Sequence, residues 1–252
     1  MDLQLTDKWA LITGASAGIG ASAAKLFAQE GVNLVLTGRR AEALDALADE
    51  IIEAGGSPPV CVAGILDNQE GCDAITAAAL DAAGGTIDIL LNNAGASHPL
   101  DDIWDEEHWT KSYQLNFAAA RQVTAALAPA MQAQNWGRII NITGAMVSPA
   151  PNAAMAAKAG LQSWSRSLSM QLAGHGITVN TVAPGRINSD QIRNNLYPTE
   201  ESRKAFIDAY IPAGYFGEPE DLAILTVFLA SPLARYINGA AIPVDGAMLR
   251  IG

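Results

Sequence analysis

The first stretch of the chain able to do chemistry is a glycine-rich run, Thr13-Gly14-Ala15-Ser16-Ala17-Gly18-Ile19-Gly20. It joins a short apolar segment to an amphipathic one. Glycines there permit a tight turn and let the backbone approach a pyrophosphate, which then meets the free N–H groups of a helix start. The spacing differs from the G-x-G-x-x-G fingerprint, but the strand–turn–helix context points to a nucleotide. Lys158 lies in the apolar segment Ala156-Ala157-Lys158-Ala159-Gly160-Leu161, which argues against a solvated surface lysine. His98 falls in a loop where a neutral imidazole would relay a proton. A solvated loop histidine is the competing reading. His108 and His175 read as surface residues, and with Cys61 and Cys72 the histidines show no metal-ligand spacing.

The elements that must hold these residues are readable from periodicity. Strands are predicted at 9–13, 32–37, 60–63, 87–91, 138–143, 178–183 and 240–244. Helices are predicted at 19–30, 41–54, 68–83, 152–173 and 219–229, with Gly31, Gly55-Gly56 and Gly84-Gly85 as stops. Residues 105–134 read as one long helix, kinked or ended early by Pro129. Residues 187–212 read as polar and irregular. Seven strands alternating with helices predict an α/β fold: a single doubly wound Rossmann domain over 1–252, its seven-stranded parallel sheet flanked by helices.

Composition narrows the function classes. With 252 residues, half of them hydrophobic, the chain can bury a large core. It carries 26 acidic and 15 basic residues, a net charge of −11, and no basic stripe, so no nucleic-acid partner is expected. No apolar run is long enough to span a membrane, and the first residues lack the charge and apolar core of a signal peptide. Two cysteines fit reduced thiols and a cytoplasmic location.

The motifs together resemble the short-chain dehydrogenase/reductase family, and within it members of the 3-oxoacyl-carrier-protein reductase type. The resemblance rests on the Thr13–Gly20 turn, Asn92-Asn93-Ala94-Gly95 after the fourth strand, Asn180 and Pro184-Gly185 around the sixth, and Ile242-Pro243-Val244-Asp245-Gly246 near the C-terminus. It implies an NAD(P)-dependent oxidoreductase that interconverts a carbonyl and an alcohol on a small molecule, usually as a homotetramer. It assigns cofactor contacts to Gly14, Ser16, Gly18, Ile19, Gly20, Arg39, Arg40, Ile65, Asn93, Ala94, Gly95, Lys158, Pro184, Gly185 and Ile187. Residues 187–215 match its substrate lid, and Arg186 is placed either to meet an anionic substrate group or as an exposed structural arginine. Where an acidic residue would bind the NAD ribose, the chain has Gly38 followed by Arg39 and Arg40, which favours NADP over NAD.

The family's reaction site uses Asn, Ser, Tyr and Lys. Asn116 and Lys158 match two of these. Ala154 stands four residues before Lys158, where Tyr is expected, and Gly144 aligns with the Ser. Three explanations are open. The site is rebuilt, with Thr143, Ser148, His98, a water or a lid tyrosine supplying the proton. The two residues were replaced, disabling or repurposing the site. Or the protein binds dinucleotide without redox chemistry, as a sensor or oligomer partner.

Overall fold

The computed structural model describes residues 1–97, 102–144, 151–189, 192 and 196–248. Among these, seven strands form one parallel sheet: β1 (Trp9–Thr13), β2 (Asn33–Gly38), β3 (Val60–Ala63), β4 (Ile89–Asn92), β5 (Gly137–Ile142), β6 (Ile177–Pro184) and β7 (Ala241–Val244). The order across the sheet is β3-β2-β1-β4-β5-β6-β7. The helices are α1 (Gly18–Gln29), α2 (Ala41–Glu53), α3 (Gln69–Ala82), α4 (Glu106–Tyr113), α5 (Ala119–Ala133), α6 (Ala153–Leu172), α7 (Glu200–Tyr210) and α8 (Pro219–Ala230). The doubly wound architecture is the predicted one. His98, Ser148 and the last four residues lie outside the described residues, as does part of the predicted lid.

The central strands explain why the sheet is covered on both faces. All six residues of β5 are buried, as are the first seven of β6. One apolar cluster packs α1, α2 and α8 on one face through Phe27, Leu44, Leu47, Ile51 and Val227. A second packs α3, α5 and the end of α6 on the other through Ile75, Val123, Leu127, Met131 and Leu172. The buried Leu44, Leu47 and Ile51 lie on one side of α2, as their spacing predicts. Asn68 caps α3, its side chain accepting from the Gly71 N–H at 2.8 Å. No helix among the described residues is long and apolar enough to cross a membrane.

Two expectations need correction. The predicted helix over 105–134 is broken, but at a π-helical turn, Gln114–Ala118, and not at Pro129. Asn116 is the cause. Its side-chain amide donates to the Ser112 carbonyl at 2.9 Å, the acceptor that its own backbone N–H would use in an α-helix. Pro129 is tolerated because it and Ala125, whose carbonyl loses its partner, both face solvent, while Val123, Leu127 and Met131 hold the buried side of α5. The segment read as irregular contains α7, started by Thr199 and Ser202 in a reciprocal cap.

Candidate active site

The strand order reverses direction between β1 and β4, and the loops leaving these strands diverge there. In open parallel sheets such a crevice receives the ligand. Thr13 and Asn93 fix its two lips. The Thr13 hydroxyl accepts from the backbone N–H groups of Asn93 and Ala94, each at 3.0 Å. The Asn93 amide donates to the Thr13 and Gly14 carbonyls, also at 3.0 Å. Gly14 has φ +65°, and a Cβ there would lie 2.9 Å from the Ala94 Cα. A Cβ at Gly20 would lie 2.5 Å from the Gly14 carbonyl oxygen. These two glycines are therefore demanded by close packing. Gly18, at φ +56°, faces open space. The residue before α1, Ala17, offers no side-chain acceptor, so the leading N–H groups of the helix are open to an anion beside Ser16 and Ile19. This geometry fits a dinucleotide pyrophosphate.

Beyond this turn, towards β2 and β3, the backbone at Gly38 closes on Ser16, with 3.2 Å from a Gly38 Cβ to the Ser16 hydroxyl. Arg39 and Arg40 are exposed at the end of β2. Arg40 reaches back to donate to the Ser16 carbonyl at 3.3 Å. Ile65 follows β3 and is 54% exposed. The Gly64 N–H ties this end to the Gly38 carbonyl at 3.0 Å. On the other side, Gly185 donates to the Val244 carbonyl at 3.0 Å, and a Cβ there would lie 2.7 Å from the Asp245 Cα. Pro184 ends β6, and Ile187 bridges to Gly217. The predicted cofactor residues thus all gather along the C-terminal edge of the sheet.

Asn116 and Lys158 meet at the ends of β4 and β5. Asn116 is buried. Its Oδ1 accepts from the Ala96 N–H at 3.2 Å, and its Nδ2 donates to the Ala96 carbonyl at 3.0 Å. The loop after β4 is therefore pinned to the π-helical turn. A Cβ at Gly95 would lie 2.8 Å from the Asn116 Oδ1 and 3.1 Å from the Lys158 Nζ. Lys158 donates to the Thr143 carbonyl at 3.1 Å, and desolvation lowers its pKa to about 8. Gly144 borders the same lysine: among the described residues a Cβ there would touch only the Lys158 Cδ, at 3.6 Å. Ala154 is buried one helical turn before Lys158 on α6. Asn152 caps α6 through the Met155 N–H at 3.0 Å and donates to the Ser97 hydroxyl at 3.1 Å.

Sequence reasoning missed a buried polar ladder beneath this cluster. The Asn92 amide donates to the Asn141 Oδ1 at 2.8 Å and to the Thr124 hydroxyl at 3.1 Å. The Asn141 amide in turn donates to the Ser165 hydroxyl at 2.7 Å. It ties β4, β5, α5 and α6 together under Lys158. The signal was an asparagine inside each of two otherwise apolar strands, Ile89-Leu90-Leu91-Asn92 and Ile139-Ile140-Asn141-Ile142. The remaining candidates stay apart. His108 and His175 are half-buried, and no group of three possible metal ligands occurs among the described residues. Burial pushes the Cys72 thiol up to about 11, which makes it a poor nucleophile.

A family model described as Enoyl-(Acyl carrier protein) reductase matches residues 14–248. The chain is 36% identical to 3-oxoacyl-[acyl-carrier-protein] reductase FabG of Vibrio cholerae, covering 99% of this chain and 100% of that protein. It superposes on L-sorbose reductase from Gluconobacter frateurii, solved with NADPH and L-sorbose, with a TM-score of 0.92 and 31% identity over 100% of both chains. It is also similar to 7α-hydroxysteroid dehydrogenase complexed with NADH and a 7-oxo bile acid, with a TM-score of 0.90 and 29% identity over 99% of this chain and 97% of that one. The family model over most of the chain and relatives this similar over its full length show that the chain belongs to the short-chain dehydrogenase/reductase family of oxidoreductases.

Proposed function

We propose that the protein is an NADP-dependent reductase or dehydrogenase that interconverts a carbonyl and an alcohol on a small molecule, with a proton-donor site unlike its family's. The observation that carries this reading is the convergence of Gly95, Asn116, Lys158 and the Thr143 carbonyl beside the β1/β4 crevice. Gly14, Ser16, Gly18, Ile19 and Gly20 would hold the pyrophosphate. Asn93, Ala94, Gly95, Pro184, Gly185 and Ile187 would line the nicotinamide half, and Ile65 the adenine. The bound cofactor supplies or accepts the hydride. Similar proteins hold NADPH in one case and NADH in another, so the preference rests on Gly38, Arg39 and Arg40. Arg39 has no ion-pair partner among the described residues, and its guanidinium is free for a 2′-phosphate.

Lys158 has two roles in this account. Its ammonium donates to ribose hydroxyls, and its charge stabilises an oxyanion developing nearby. Asn116 holds the loop of Gly95 and Ala96 against the π-helical turn. Neither Ala154 nor Gly144 supplies a proton or polarises a carbonyl, so the proton comes from elsewhere. The relatives named 3-oxoacyl reductases support a ketone next to an acyl group as substrate. Residues 187–215, with α7, would form the lid.

A homotetramer is supported by an apolar groove of about 470 Å³ between α4 and α6, lined by Trp109, Tyr113, Phe117 and Trp164. Free Cys61 and Cys72 support a cytoplasmic site of action. The test is NADPH oxidation with a panel of ketones and aldehydes, beside Lys158→Met. The expected result is turnover that Lys158→Met abolishes. Tight NADPH binding with no turnover on any carbonyl would favour the second reading, a silent dinucleotide-binding protein, to which Ala154 and Gly144 point.

A further inference from the structure

Arg186 follows Pro184-Gly185 at the C-terminal end of β6. Its backbone is fixed, with its carbonyl accepting from the Gly217 N–H at 2.9 Å. Its guanidinium lies over Phe206, 5.1 Å from the ring centroid, and Tyr197, at 5.9 Å. Both rings pack against Phe216. The Nε is buried and donates to no acceptor among the described residues.

Two other arginines drawn into the fold differ. Arg138 is buried but donates to the Gly137, Gly176 and Ser231 carbonyls. Arg203 donates to the Tyr197 and Pro198 carbonyls. A chain with 26 acidic residues thus leaves the half-buried Arg186 guanidinium with neither a carboxylate nor a carbonyl acceptor among the described residues, where the half-buried Arg203 has two carbonyls. Rings above a guanidinium favour the charge through its face. They leave its in-plane N–H fork open, and that fork matches a carboxylate.

The position separates this cation from the cofactor phosphates. β2, which ends at Arg39 and Arg40, is four strands from β6 in the order β2-β1-β4-β5-β6. At about 4.8 Å per strand that is roughly 19 Å. Thr143 and Lys158, by contrast, serve the end of β5, which pairs directly with β6 through Ile142 and Val182.

We infer that Arg186 anchors a carboxylate subsite and that the substrate is a short oxo acid, its carbonyl at Lys158 and its carboxylate one strand away at Arg186. The kinetic half of this inference rests on the oxidoreductase reading above; the binding half does not. Kinetics would compare 2-oxobutanoate and 3-oxobutanoate with their methyl esters, in the wild type, Arg186→Lys and Arg186→Met. The acids should exceed their esters about 100-fold in kcat/KM, mainly through KM. Arg186→Met should bring the ratio near one, and Arg186→Lys should retain about a tenth of the preference.

Binding of butanoate and butanamide to the cofactor-free enzyme, followed by ligand-observed NMR, is the second readout. The wild type should prefer butanoate at least tenfold, and Arg186→Met should lose that preference while keeping the wild-type circular dichroism spectrum. Arg186-dependent butanoate binding without turnover of any carbonyl would sustain the subsite and overturn the oxidoreductase reading. Equal handling of acids and esters by an active wild type, or butanoate binding unchanged in Arg186→Met, would overturn the subsite.

Discussion

Restoring the two hydroxyls that the family's reaction site would carry asks whether this site has been vacated or rebuilt. The perturbation is Gly144→Ser with Ala154→Tyr. Among the described residues a new Cβ at Gly144 meets only the Lys158 Cδ, at an ordinary contact distance of 3.6 Å. Ala154 lies four residues before Lys158, so a Tyr there shares its face of α6. The site is buried, and the added ring costs about 1–3 kcal/mol of stability through overpacking. The gain is larger in rate. A positioned general acid contributes about 10²–10⁴-fold and a hydrogen-bond donor to the oxyanion about 10²–10³-fold, and the two act together rather than additively. In a vacated site the double variant should therefore reduce an activated ketone at least 100-fold faster than the wild type. Initial rates of NADPH oxidation, with NADPH affinity and urea denaturation as controls, would measure it. A folded double variant that binds NADPH normally and gains nothing would refute the vacated-site reasoning and direct the search for a proton donor to residues 187–215.

Three further outcomes follow from the geometry. Lys158 has a folded-state pKa of about 8, below the usual lysine value, so the unfolded state binds more protons as pH passes from about 8 to the ordinary lysine range. Its penalty on folding is full below pH 8 and fades as pH rises through that window. Urea denaturation should show Lys158→Met with a flatter stability profile there than the wild type, and any activity requiring the ammonium should fall above about pH 8. Asn141→Leu removes the centre of the buried ladder, leaving the Asn92 amide only its bond to Thr124 and the Ser165 hydroxyl only its bond to the Leu161 carbonyl, at a cost of about 1–3 kcal/mol in the same assay. Trp164→Glu places a charge in the apolar groove between α4 and α6, and light scattering should report a smaller assembly than the wild type's.

The order of elements was legible because period-2 and period-3.6 apolar patterns are local, and Gly31, with φ +76°, and Gly55, with φ +88°, punctuate them. The glycine turn was legible because close backbone approach leaves glycine as its mark. What escaped depended on contacts across the fold. The π-helical turn arises because the Asn116 amide competes for the Ser112 carbonyl while also gripping Ala96, twenty residues away. The tolerance of Pro129 depended on which side of α5 faces solvent. The Asn92–Asn141–Ser165 ladder joins residues far apart in sequence, and a lone strand asparagine does not announce its partner. That the Arg186 Nε finds no acceptor among the described residues while its guanidinium lies over Phe206 is likewise a property of the packed chain.

Cofactor preference is a separate test of the end of β2. Arg39→Asp should weaken NADPH at least tenfold and improve NADH, as read by fluorescence titration, since it exchanges a phosphate donor for a repulsive charge. The central claim is hydride transfer at the Lys158 cluster. Its most direct measurement incubates the protein with NADPH carrying deuterium at the nicotinamide C4 and a panel of oxo acids and ketones, then follows the products by mass spectrometry. The account predicts one deuterium on the carbinol carbon of an alcohol product, lost in Lys158→Met. Saturating NADPH binding with no deuterated alcohol from any carbonyl would contradict it.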